Sequence, residues 1–287
     1  MLLVPGEPSR LSTCIACGEA FKKDELSGLL YCVHCDLVLS MVPEGRTYLL
    51  LGGSGSGKSV FSYKLMDLYL RSSRPCIFVA VDEPPSQLRS SIKSLVDGLA
   101  RAEDERLLTF IDCYSCLGGF ASQEKYHLDS PSDLNGLGFL LTKLTAEVGS
   151  KSPVRVFIDS VTAMFAHCEP EAILKFLYST SARVKNSGGS LVFTLNEGAV
   201  TPETQKRMEQ LADGLVELRS DESQGIRYYR FSKVRGRLYF DTWLPLFVKD
   251  RAIMLAPPED LQTRERFYKT FELIRKETSS EGPNLGS

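Results

Sequence analysis

The chain has no apolar run near the roughly 18 residues that a membrane-spanning helix needs. It also has no excess of either charge: 34 Lys and Arg stand against 36 Asp and Glu, a formal net charge of −2. The first absence argues against a helical membrane protein. The second argues against a protein that coats nucleic acid by bulk electrostatics, although a local basic groove stays compatible with it. The opening Met1-Leu2-Leu3-Val4 meets Pro5, Gly6 and Glu7 at once, so it forms no signal-peptide core. A cytoplasmic location is therefore expected. Internal repeats and low-complexity runs are missing too. What is there is ordinary globular composition, 43% hydrophobic and 24% charged. The 287 residues suffice for a full core without disulfides, as one large domain or one domain with a small module.

From Thr47 onward, strand and helix patterns alternate. Apolar runs at Thr47–Leu51, Cys76–Val81, Leu107–Ile111, Val154–Ile158 and Leu191–Leu195 read as buried strands. Helical spacing covers Val60–Tyr69, Ser86–Leu99, Asp133–Val148 and Pro170–Val184. Such a βαβα order predicts a parallel sheet with helices on both faces. Gly214–Leu218, Ile226–Phe231 and Arg237–Phe240 read as short strands of an antiparallel extension. Glu259–Lys276 is expected to be helical, and Glu281–Ser287 disordered.

Between the first strand and helix lies Gly52-Gly53-Ser54-Gly55-Ser56-Gly57-Lys58-Ser59, which fits G-x-x-x-x-G-K-[ST]. Glycines let backbone N–H groups turn inward around phosphate oxygens, and the helix adds its positive N-terminal end. Lys58 suits the β- and γ-phosphates, and Ser59 suits Mg²⁺. A second acid for the metal is expected at a strand end, at the sheet edge where open α/β sheets bind ligands. Asp159 is favoured because Ser160-Val161-Thr162 follows it, and Asp112 is the competitor. An Asp ending a strand is often only a turn residue.

Several blocks in order resemble the KaiC/RadA branch of the RecA-like ATPases. They are Pro43-Glu44-Gly45 with the phosphate loop, Phe78-Val79-Ala80-Val81-Asp82-Glu83-Pro84, Ile158-Asp159-Ser160-Val161-Thr162, Asp213-Gly214-Leu215-Val216-Glu217-Leu218 and Lys233-Val234-Arg235-Gly236. The resemblance covers about residues 42–254. It implies a RecA-like α/β core that binds ATP with Mg²⁺ and hydrolyses it. Glu83, or Asp82 with it, would act as general base on the attacking water. Lys233 and Arg235 would reach the γ-phosphate of a neighbouring subunit, and Asn196 is a weaker phosphate-sensor candidate. The assembly this implies is a homo-oligomeric ring, expected as a hexamer.

Four of the eight cysteines form Cys14-x₂-Cys17-x₁₄-Cys32-x₂-Cys35. Without a secretory signal, that spacing predicts a structural Zn²⁺ site closed by four thiolates rather than disulfides. A redox pair or unmetallated thiols would be the alternatives. Cys113 and Cys116 form a third pair with no second pair nearby, either reduced thiols in a loop or a redox pair. The expected organisation is an arm at 1–10, a zinc ribbon at 11–41, the ATPase domain at 42–255 and a tail at 256–287. Three functions stay open. The first is an oligomeric ATPase switch or motor. The second is an accessory that binds DNA or RNA in recombination or repair. The third is a scaffold that binds ATP with little turnover and docks a regulatory protein.

Overall fold

Leu49, Leu50 and Leu51 follow one another on one strand and all are buried. A strand apolar on both faces needs cover on both. The computed structural model describes residues 22–23, 30–31, 42, 44–96, 98–149, 152–221, 226–236, 239, 241–249 and 252–255. Two short strands, β1 (Lys22–Lys23) and β2 (Leu30–Tyr31), pair antiparallel by themselves. The main sheet uses β3 (Thr47–Gly52), β4 (Cys76–Ala80), β5 (Leu108–Asp112), β6 (Arg155–Asp159) and β7 (Ser190–Asn196). It continues through β8 (Gly214–Asp221), β9 (Ile226–Val234), β10 (Leu244–Lys249) and β11 (Ala252–Leu255).

The order across the sheet is β11-β10-β9-β8-β3-β7-β6-β4-β5. Every pairing from β8 to β5 is parallel, and every pairing from β8 to β11 is antiparallel. The expected α/β core with an antiparallel extension is therefore present. One face carries α1 (Lys58–Arg71), α2 (Pro85–Ile92) and α3 (Leu99–Asp104), which bury Phe61, Leu65, Leu88, Ile92 and Ala102. The other carries α4 (Leu134–Val148), α5 (Val161–Met164), α6 (Pro170–Asn186) and α7 (Pro202–Leu211), with Leu141, Val161, Leu177 and Met208 inward.

The register explains an aromatic row under α1. Phe78 of β4 lies opposite Phe110 of β5 and Phe157 of β6. Its ring stacks on Phe157 with centroids 6.2 Å apart and tilts against Phe110 at 6.0 Å. Cross-strand aromatic pairs stiffen a sheet, here directly beneath the helix that carries the phosphate loop.

Three details differ from the sequence reading. The helix expected over Ser86–Leu99 ends at Ile92, and α3 starts separately after Gly98, whose φ of +62° breaks helical geometry. Helix α7 was not expected, because Met208 and Leu211 are its only buried residues and give little periodicity. Its start is nevertheless marked by Pro202 at the first position and by Thr201, whose hydroxyl accepts from the Thr204 N–H. The extension continues through β10 and β11, whereas residues 237, 238 and 240 of the strand expected at Arg237–Phe240 lie outside the described residues. So do the tail elements expected at Glu259–Lys276 and Glu281–Ser287.

Candidate active site

The site begins where β3 ends. Gly52 sits so close to β8 that a Cβ there would lie 2.2 Å from the Leu218 carbonyl oxygen. Only glycine fits. Gly57, with φ of +98°, turns the chain directly into α1, so Lys58 and Ser59 occupy the helix start. Lys58 Nζ donates to Gly52 O at 2.9 Å and Gly53 O at 2.7 Å, lying across the loop. Ser56 Oγ is buried with no hydrogen-bond partner among the described residues. A Cβ at Gly53 or Gly55 would meet nothing within 4 Å, so the loop is open above. An open ring of backbone, an orphaned hydroxyl and a lysine spanning its own loop together fit a phosphate chain.

Neighbouring strand ends bring in the acids. Asp159 closes β6, two strands from β3, and is 6% exposed. Its Oδ1 accepts from Thr194 Oγ1 of β7 at 2.6 Å. The peptide between Asp159 and Ser160 is cis. Burial pushes the Asp159 carboxyl up, against hydrogen bonds from Thr194, Ser59 and Tyr63 and the charge of Lys58. Asp82 and Glu83 follow β4 at the same edge. Burial raises Asp82, Ser160 opposes this, and the Asp159 charge adds to it. Glu83 is raised by burial and then by the charges of Asp159 and Asp82. Lys58 is lowered by burial, while Asp159, Asp82 and Glu197 pull it back up.

Beyond burial, the Asp159 charge raises the Asp82 and Glu83 carboxyls, and the Asp82 charge raises Glu83, beside Lys58. Ser59 and Asp159 are the oxygen ligands suited to Mg²⁺, which takes one or two protein oxygens with phosphate and water rather than a protein cage. Among the described residues no group of three His, Cys, Asp or Glu is arranged to hold a metal.

Asp112, the competitor to Asp159, ends β5 at the sheet margin. Its oxygens accept from the Tyr114 and Ser115 N–H groups and from the Ser115 and Ser122 hydroxyls. It is fully engaged in a turn. Asn196 ends β7 opposite Gly52, and its N–H donates to Thr162 Oγ1 at 2.8 Å.

Lys233 and Arg235 lie elsewhere. Gly52 pairs with Leu218 past the middle of β8, whereas Val234 pairs with Gly214 at its start. The length of β3, about 16 Å at strand rise, separates the two edges. Lys233 Nζ donates to the carbonyls of Glu209 and Ala212 at the C-terminus of α7. Arg235 pairs with Asp213 at 3.2 Å and stays 58% exposed. Asp213 in turn accepts from the Thr47 N–H and Lys185 Nζ, each at 3.0 Å. Within one chain, these two cations do not meet the phosphate loop.

Three residues near the loop escaped the sequence reading. Arg227 of β9 brings its Cδ within 3.0 Å of where a Gly57 Cβ would stand. Strand period was the available signal, since Tyr229 and Phe231 of the same strand pack on the α1 side. Thr194 shares a face of β7 with Val192 by the same rule. Tyr63 follows Ser59 by one helical turn, so both lie on one face of α1.

The four cysteines expected to bind zinc, Cys14, Cys17, Cys32 and Cys35, lie outside the described residues. Cys113 is buried and Cys116 half-buried, and burial raises both thiols above their ordinary value. That disfavours the reactive thiolate. Cys76 is part of the core, as an apolar residue would be.

A parallel sheet with a phosphate loop after one strand, an acid after another and an antiparallel extension defines an α/β P-loop nucleotide-binding protein of RecA-like architecture. The chain belongs to the KaiC ATPase family, whose profile, described as "ATPase: KaiC", matches residues 36–260. A UPF0273 protein of Aeropyrum pernix is 28% identical over 236 residues, covering 80% of this chain and 93% of its own. One from Methanopyrus kandleri is 28% identical over 231 residues, covering 78% and 89%. Among solved structures, a KaiC-like protein from Pyrococcus horikoshii OT3 shares the fold, with a TM-score of 0.60 at 19% identity, covering 75% of this chain and 91% of its own. Among the described residues, no helix is long and apolar enough to cross a membrane.

Proposed function

We infer that this chain binds ATP with Mg²⁺ at Gly52–Ser59 and hydrolyses it. The observation that carries the reading is Lys58 Nζ, which spans the Gly52 and Gly53 carbonyls of an open loop beside Ser59 and Asp159. On binding, Lys58 exchanges those carbonyls for phosphate oxygens, and backbone N–H groups of the loop take the remainder. Ser59 and Asp159 are the residues that would hold Mg²⁺, which neutralises phosphate charge when bound. Glu83 accepts the proton of the attacking water. Burial and the neighbouring acids raise its carboxyl, which makes it a better base than an ordinary glutamate, and Ser160 does not oppose that rise as it does at Asp82.

A ring assembly, expected as a hexamer, belongs to this reading. Its support is the separation of the phosphate loop from Lys233 and Arg235 on opposite sheet edges. Head-to-tail contact between copies brings opposite edges together, and closes into a ring when the rotation permits. A zinc ribbon at 11–41 also belongs to it, supported by the antiparallel β1–β2 pair. Lys22 faces Tyr31 there, so the chain entering β1 and the chain leaving β2 share one end, and the cysteine pairs flank that end in sequence. A cytoplasmic location goes with this reading.

The deciding experiment compares wild type with Lys58→Ala for nucleotide affinity, and for turnover with and without DNA, RNA and candidate regulatory proteins. Loss of affinity in the variant supports the reading, and unchanged affinity would sink it. Stimulation by DNA or RNA would instead favour the recombination accessory. Binding without turnover would favour the scaffold.

A further inference from the structure

Asp213 joins three separate parts of the chain at the sheet edge away from the phosphate loop. The first is β3: the Asp213 N–H donates to Thr47 O at 2.7 Å, and Oδ2 accepts from the Thr47 N–H at 3.0 Å. The second is the end of α6, where Lys185 Nζ donates to Oδ2 at 3.0 Å. The third is the turn after β9. There the Arg235 N–H donates to Asp213 O at 2.8 Å, and the guanidinium Nη1 lies 3.2 Å from Oδ1. One residue thus fixes both the backbone and the side chain of Arg235. Lys233 is held beside it by the Glu209 and Ala212 carbonyls, and Ala212 immediately precedes Asp213.

Fold stability explains only half of this carboxylate. Asp213 is 3% exposed, and its Oδ2 satisfies the Thr47 N–H and Lys185. Oδ1 faces a guanidinium that is largely in solvent. An ion pair with so exposed a partner adds little to stability. It does restrict a long side chain that would otherwise sample many rotamers. An arginine anchored in advance has already lost that freedom when it meets its ligand. A guanidinium has five N–H donors and a carboxylate takes up at most two of them, so the others stay free for a phosphate.

We propose that Asp213 is a positioning residue for Arg235, whose carboxylate orients the guanidinium toward the phosphates at a neighbouring copy's phosphate loop. The inference rests on the nucleotide-binding reading and on the shared site that goes with it. Misplacing a group by about 1 Å can cost about a hundredfold in rate, so loss of the anchor should remove much of what Arg235 supplies.

The test uses the full chain and ATP hydrolysis at saturating ATP, below the melting transition of every variant. Asp213→Asn keeps an acceptor for the Thr47 N–H and removes the charge that faces Arg235. Its kcat should fall about ten- to a hundredfold, with nucleotide affinity unchanged. The double variant with Arg235→Ala should be no slower than Arg235→Ala alone, because Asp213 acts through Arg235. A purely structural role would add its own loss. Mixing locates the defect. Asp213→Asn chains should regain activity with Glu83→Gln chains, which bring an intact cation edge. They should regain none with Arg235→Ala chains, which lack the same edge. Should Asp213→Asn fail to fold, Asp213→Glu replaces it under the same expectations, since it keeps the charge but moves it by one methylene.

Unchanged turnover in Asp213→Asn overturns the proposal. So does a double variant slowed by the full product of the two effects, or recovery on mixing with Arg235→Ala. If wild type binds no nucleotide, the phosphate-loop reading falls and takes this inference with it. If Arg235→Ala and Glu83→Gln chains do not recover on mixing, the shared site falls, and this inference with it. If they recover while Asp213→Asn turns over as wild type does, only the role of Asp213 falls.

Discussion

Burial raises the Asp82 carboxyl while Ser160 opposes the rise, whereas its neighbour Glu83 is raised by burial and by the charges of Asp159 and Asp82 with no opposing hydrogen bond. Two acids adjacent in the chain are thereby given different base strength. Ser160 favours the charged form of the first, and the second is the stronger base toward a water molecule.

Glu83→Gln is therefore expected to keep nucleotide bound and slow turnover by about 10²–10⁴, the usual worth of a general base. Asp82→Asn should slow turnover far less, since Ser160 opposes the rise of the Asp82 carboxyl and leaves it the weaker base. Steady-state hydrolysis together with nucleotide affinity checks both. If Asp82→Asn is the slow variant and Glu83→Gln is not, the base has been assigned to the wrong acid.

Arg235→Ala should fold normally, because the side chain is largely exposed and its pair with Asp213 is peripheral. Turnover should nevertheless fall if the arginine serves a neighbouring site. Mixing Arg235→Ala chains with Glu83→Gln chains should restore activity at sites that take one intact half from each. Hydrolysis by a strict monomer, with no recovery on mixing, would rule out a shared site. Lys233→Ala is the poorer probe. It strips two donors from the last carbonyls of α7 and should cost about 1 kcal/mol of stability.

One zinc ion per chain should co-purify, and it should be lost when Cys14 and Cys17 become Ser. Elemental analysis of both proteins decides this. Zinc retained in the double variant would mean that other residues bind it.

Acid stability should depend on Asp213. Burial pushes this carboxyl up, but the Thr47 N–H bond and the Lys185 and Arg235 cations outweigh it and hold the group below its ordinary value. A depressed carboxyl stabilises the fold above the unfolded value of about 3.9, and the contribution disappears as pH falls through the lower folded value. Asp213→Asn should thus be less stable than wild type near neutrality, with the gap closing below about pH 4. Denaturant midpoints measured from pH 7 to pH 2 test the sign. A gap that widens in acid would contradict it.

Local chemistry made much of this protein legible from its sequence. Gly52–Ser59 is a contiguous pattern in which each residue type answers a backbone or phosphate requirement, and the apolar runs at β3, β4, β6 and β7 can only be strands buried on both faces. Asp159 was recognisable because such a run ended in it. Tertiary structure alone decided how distant segments meet. Strand order sets Asp159 beside Lys58 and sends Asp112 to the sheet margin, although both acids end similar strands. Thr194, Arg227 and Tyr63 reach the site only through the register of β7 with β6, the antiparallel return of β9 and the turn of α1 over Phe78. The same return carries Lys233 and Arg235 to the edge away from the phosphate loop. A linear pattern records which side chains are available, but strand pairing and direction fix which of them share a sheet edge, because those depend on hydrogen bonds between residues far apart in the chain.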